Sequence, residues 1–161
     1  MKLLACGLIV ICSYFIGATL CEAEGDKLKT LDALYSLFSE MLMRISGERA
    51  PLYRIFAEAE SEQLERIGFL PLLRSQRGIS VSVWEKAVGT LGCAPTLTRE
   101  LDLFGAELGR LALDEQIKRI EACRASIAEH RDMLARELPD RQKSTKAVCL
   151  LAGLMTAIIL L

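Results

Sequence analysis

The chain has 161 residues, 52% of them hydrophobic, and a formal net charge of −1. That length holds one modest domain, and so even a charge balance excludes a surface built mainly to grip nucleic acid. Of its cysteines, Cys6, Cys12, Cys21 and Cys149 stand in or beside apolar runs, which leaves Cys93 and Cys123 and neither a disulfide framework nor a zinc-ligand spacing.

The first element is the uncharged run LLACGLIVICSYFIGATLC, Leu3 to Cys21. As a helix it covers roughly 28 Å, close to the hydrocarbon thickness of a bilayer, so residues 1–24 are expected to form an N-terminal transmembrane helix. A cleaved signal peptide is the other reading. The run is longer than an ordinary signal-peptide core, and no good Ala-x-Ala follows it.

A central domain is expected over residues 25–140. Leu31, Leu34, Phe38, Met41, Leu42 and Ile45 recur at three and four, which draws one apolar stripe on a helix ending near Gly47 and nearly continuous with the first span. Pro51 suits the first turn of a second helix, whose stripe runs through Leu52, Ile55, Phe56, Ala59, Leu64 and Ile67 to a stop at Gly68. Glu58, Glu62 and Glu65 share its outer face, as a solvated surface or as a docking patch for a basic partner. After a short apolar piece, Phe69 to Leu73, Ser82-x-x-Glu85 has the form of a capping box opening a helix with Trp84, Ala87 and Val88.

Gly89, Gly92 and Pro95 break the chain before a helix starting near Thr96, with Leu97, Leu101, Phe104 and Leu108 on its inner face. Within FGAELG, residues 104–109, two glycines stand in a helix at roughly 1 kcal/mol each. Gly105 is expected to let a neighbouring helix approach closely. Gly109 is expected to cap the helix before Asp114 and Glu115 acid-load the first turn of the next. That last helix runs through Leu113, Ile117, Ile120, Ile127, Leu134 and Leu138 until Pro139 weakens or kinks it.

Residues 141–161 are expected to form a C-terminal transmembrane helix with a basic flank. Its apolar run, Ala147 to Leu161, covers only about 22 Å, short of a ~30 Å core unless the bilayer thins or Lys146 snorkels. Lys27, Lys29, Arg131, Arg136, Arg141, Lys143 and Lys146 lie on the loop side of the two runs and only Lys2 on the other. This bias places the central domain in the cytoplasm and both termini outside. Residues 26–140 keep 16 of the 20 basic and 19 of the 21 acidic side chains.

No stretch alternates with period two for more than a few residues, so the fold class expected is all-α. There is no GxxxxGK[ST] phosphate loop, and His130, the one histidine, lies among charged residues with no nucleophile elbow anywhere. It is expected on a helix surface. An enzyme, a cofactor, a metal site, a nucleic-acid partner and a small-molecule substrate are therefore not expected.

The most specific signal is a set in fixed order: Ala50-Pro51-Leu52, Trp84 with Ala87, FGAELG, Gln116, Ile120, and Lys143-x-x-Lys146 running into LLAGL with Gly153. Together with the two apolar ends, it resembles the stage III sporulation protein AB family over nearly the whole chain. The motif residues are Pro51, Leu52, Trp84, Phe104, Gly105, Leu108, Gly109, Gln116, Lys143, Lys146 and Gly153. The chain departs from the family pattern at Arg44, where an acidic residue is usual, at Ala112, where Asp is common, and at Pro139.

The resemblance implies a six-helix-type cytoplasmic bundle similar to the cytoplasmic domains of the inner-membrane platform proteins of type II secretion and type IV pili. It also implies a non-enzymatic scaffold in the cell membrane, on the mother-cell side of the channel apparatus that joins mother cell and forespore. Its partners would be the apparatus ATPase and other membrane channel subunits, and Glu100, Glu107, Asp114 and Glu115 are a candidate docking edge. A membrane-anchored helical sensor or signalling regulator is the alternative function.

Overall fold

Apolar residues spaced by three and four become helix along the chain. A computed structural model describes residues 2–48, 51–75, 80–108 and 111–160, without the side chains of residues 2–10, 48, 157, 159 and 160. Among the described residues it is all-α, with no strand: α1 Lys2–Glu48, α2 Leu52–Glu58, α3 Glu62–Arg66, α4 Phe69–Arg74, α5 Val81–Thr90, α6 Pro95–Glu107 and α7 Leu113–Leu160. The chain divides into two compact units, Met1–Leu28 with Met133–Leu161, and Lys29–Asp132.

In the unit Lys29–Asp132, α5 packs on α4 and α6, while α2 and α3 pack on α4. The core gathers the rings of Phe38, Phe56, Phe69, Trp84 and Phe104, each no more than 2% exposed. α7 contributes Ile120, Cys123 and Ile127. Removing side chains of this size from water is worth roughly 2 kcal/mol each, so the cluster adds to the cohesion that the buried aliphatic side chains of the unit also supply.

The single helix expected from Pro51 to Ile67 is broken into α2 and α3. Ala59 turns extended at φ −64° and ψ 124°, and Ser61 opens α3 by accepting from the Leu64 N–H at 3.4 Å. What makes the break tolerable lies fifteen residues away. Arg74 Nε donates to Phe56 O at 3.1 Å and its Nη2 donates to Ala59 O, so carbonyls freed where α2 stops are not left unpaired. Gly68, at φ 87°, then takes the left-handed turn into α4.

The acidic face expected along that helix is also dispersed. Glu58 is held by Arg44 at 2.6 Å and by Arg54 at 2.8 Å, and Glu65 by Arg74 at 2.8 Å. Hydrogen bonds from Arg54 and then Arg44 keep the Glu58 carboxyl below its ordinary range. Arg44, one of the three positions where the chain departs from the pattern it resembles, is thus occupied by Glu58 and by Glu40 at 2.7 Å.

Two other boundaries differ from expectation. α5 is capped by Ser80, whose side chain accepts from Val83 N–H, not by Ser82. Gly89 lies within α5, and only Gly92, at φ 60°, makes the turn that follows. α7 continues through Pro139. A proline costs a helix interior about 3 kcal/mol, and this 48-residue helix carries that cost without stopping.

The unit formed by the chain ends is built the other way round. Ile11, Tyr14, Phe15, Ile16 and Leu20 of α1 face outward, as do Val148, Leu150, Leu151, Leu154, Met155 and Ile158 of α7. Gly17, Cys21 and Gly153 are buried. A side chain at Gly17 would meet Cys149 Cβ at 3.1 Å, and Gln142 Nε2 donates to Cys21 O at 3.3 Å. Among the described residues no helix is long and apolar enough to cross a membrane, so the spans expected at 1–24 and 141–161 find no support there. The first run opens with residues whose side chains are not described, and the second is short and follows Arg141, Lys143 and Lys146.

Candidate functional site at the joint of α6 and α7

α6 begins at Pro95, where the missing N–H would have had no helical partner, and Thr98 N–H donates to Ala94 O at 2.9 Å. The spacing of Leu97, Leu101, Phe104 and Gly105 then puts these residues on one buried face. At Gly105 that face meets Trp84 with no room between them: an added Cβ would fall on the indole, 2.5 Å from both Cγ and Nε1. The indole Nε1–H donates to Leu101 O at 2.7 Å.

These two facts have one cause. A Cβ leans toward the start of its helix, so a side chain at position 105 would cover the turn that presents the Leu101 carbonyl. Glycine leaves that carbonyl open to Trp84. Phe104, one position back, lies tilted against Trp84 with centroids 5.5 Å apart and against Phe38 at 5.3 Å, and Phe56 and Phe69 meet the indole edge-on at 6.0 and 5.9 Å. Trp84, Phe104 and Gly105 are thus one packing latch between α5 and α6.

α6 ends within the motif, at Glu107. Leu108 goes extended at ψ 123° and returns its N–H to Gly105 O at 3.3 Å. Gly109 lies outside the described residues, so the cap expected there has no structural account. α7 opens with Asp114 and Glu115 in its first turn, where negative charge is favourable. Phe104, Glu107, Leu108, Leu111, Gln116 and Arg119 line a crevice too tight to hold a small molecule. Across it Arg119 Nε meets Glu107 Oε2 at 2.8 Å.

Of the candidate docking acids, Glu100, Asp114 and Glu115 are exposed, whereas Glu107 is half-buried and engaged by Arg119. Nearby, burial pushes the Cys123 thiol up to about 11, and that of Cys93 likewise. Both are therefore protonated and poorly nucleophilic at neutral pH. His130 ties α7 to α6: its Nδ1 faces Ser126 O at 2.9 Å and its Nε2 faces Thr96 Oγ at 3.1 Å. A carbonyl only accepts, so Nδ1 carries a hydrogen, and in the neutral ring Nε2 accepts from the threonine hydroxyl. This half-buried strut replaces the plain surface position expected for it.

The other motif residues lie apart from this joint. Pro51 caps α2, its carbonyl accepting from Arg54 N–H at 3.0 Å, and Leu52 begins that helix half-buried. Ala50 lies outside the described residues. Lys143, Lys146 and Gly153 belong to the unit of the chain ends, the lysines exposed and the glycine buried. Arg74 and Arg119 carry much of the polar structure and are invisible in the sequence, because their partners lie 15 and 12 residues away. Among the described residues no group of three His, Cys, Asp or Glu side chains is placed to hold a metal ion.

The motif that dominates the sequence is therefore a joint held by a ring, a glycine and an ion pair. No curated protein and no solved structure matches the chain. The family model described as stage III sporulation protein AB matches residues 2–161, and the chain belongs to that family.

Proposed function

We propose that this member of a stage III sporulation family is a non-enzymatic, two-pass platform subunit in the cell membrane. Its central unit faces the mother-cell cytoplasm and couples the ATPase of the mother cell–forespore channel apparatus to the membrane subunits of that channel.

The observation that carries the membrane reading is the reversed packing of the chain ends, with large apolar side chains outward and Gly17, Cys21 and Gly153 inward. Small residues inside and large ones outside is the arrangement of helices that pair in lipid, where close backbone approach replaces the hydrophobic drive. The exposed hydroxyls support it too. Thr19 Oγ donates to Ile16 O at 2.9 Å and Thr156 Oγ to Ala152 O at 2.8 Å, so neither needs water. The lysine and arginine bias then sets the orientation.

For the ATPase, the supporting feature is the exposed set Glu100 on α6 and Asp114 and Glu115 in the first turn of α7. Such charges act mainly by steering and orienting a partner. Alkaline phosphatase fused after Leu161 is expected to be active and membrane-bound, and an inactive fusion would reject the orientation. Changing Glu100, Asp114 and Glu115 to Lys is expected to cut copurification with the cognate ATPase about tenfold, equivalent to ~1.4 kcal/mol. Unchanged copurification would remove this edge from the interface.

A further inference from the structure

We infer that the two apolar ends of the chain enter the membrane as one pair, and that the short C-terminal run depends on its contact with α1 at Gly17 to stay there. This rests on the membrane reading above and adds a dependency that the reading does not itself require.

Alone, Ala147 to Leu161 is a marginal span, about 22 Å of helix against a ~30 Å core. The structure gives it a partner at successive points along one seam. At Gly17, an added Cβ would lie 3.1 Å from Cys149 Cβ, 3.4 Å from its Sγ and 3.8 Å from Lys146 Cα. One turn further, Gln142 Nε2 donates to Cys21 O at 3.3 Å while Cys21 Sγ faces Gln142 O at 3.7 Å. This bond lies at the level of the basic flank, between Arg141 and Lys143, and adds to the contact at Gly17 in favouring the paired state.

The contact at Gly17 includes backbone, so a long side chain there cannot be accommodated by swinging one flexible group aside. Gly25, on the same helix, has nothing within 4 Å of an added Cβ. It provides the matched control.

The test uses the full chain with alkaline phosphatase after Leu161. Gly17→Leu is expected to lower phosphatase activity about tenfold, the effect of losing roughly one such helix contact, while Gly25→Leu stays near wild type. Wild-type activity in Gly17→Leu overturns the pairing and leaves the membrane reading standing. An inactive wild-type fusion rejects the orientation, and one released by alkali overturns both the pairing and the membrane reading.

A second variant separates pairing from misfolding. With Cys6, Cys12, Cys21, Cys93 and Cys123 changed to Ala, Gly17→Cys is oxidised with copper phenanthroline, which takes up the two electrons as two thiols lose their protons and form one S–S bond. The 3.1 Å Cβ separation needs only a small opening to reach disulfide geometry. Loss of maleimide labelling at both positions is expected, and retained labelling in membrane-inserted chain overturns the inference.

Discussion

In Lys29–Asp132 the rings of Phe38, Phe56, Phe69, Trp84 and Phe104 point inward, whereas in the paired ends Phe15, Ile16, Leu151 and Met155 point outward and glycine and cysteine meet inside. The first unit coheres by hiding large apolar surface from water. The second cannot, since its large side chains lie outside the contact, and it relies instead on the close fit of backbones and one pair of interhelical hydrogen bonds. Glycine works in both, but for different ends. Gly105 admits a ring to a carbonyl, and Gly17 admits a helix.

The comparison is sharpest at Gly105. Gly105→Leu is expected to destabilise the full chain in detergent by about 3 kcal/mol or more, because the indole must leave its place and its bond to Leu101 O. A change within about 0.5 kcal/mol by urea denaturation would break the account of the latch.

Next is Arg74, which closes the gap after α2. Arg74→Met keeps much of the stem and removes the donors to Phe56 O and Ala59 O, with an expected loss of about 1 to 3 kcal/mol. Full stability would mean that the break at Ala59 to Ser61 needs no such partner. Ser80→Ala should cost about 1 kcal/mol and Ser82→Ala close to nothing, and the reverse order would restore the cap expected from sequence.

The last effect is alkaline. The Cys93 and Cys123 thiols have their pKa raised to about 11 from 9.0, so the folded state favours their protonated form. Their contribution is complete below pH 9 and is lost as pH rises toward 11. Changing both to Ala should flatten a stability profile across that window, whereas an unchanged slope would assign it to other groups.

Periodicity sufficed for the all-α class and for the inner faces of α1 and α6, because a three-and-four pattern has only one way to bury itself. It failed at residues 59–61, where Ile55, Leu64 and Ile67 keep helical spacing across a break that only Arg74 explains. It also misplaced the start of α5: Ser82 and Glu85 match a capping box, yet Ser80 makes the bond. Gly105 was legible as a glycine needing a reason. Its partner, twenty-one positions back, was legible only as an apolar ring.

Trp84 is the one tryptophan in the chain. With its indole fully buried, ringed by three phenylalanines and donating to Leu101 O, it is a built-in optical probe of a single joint. Ultraviolet emission from the untagged protein, excited selectively at the indole, therefore reads whether α5 and α6 remain latched while the chain ends or a bound partner are altered.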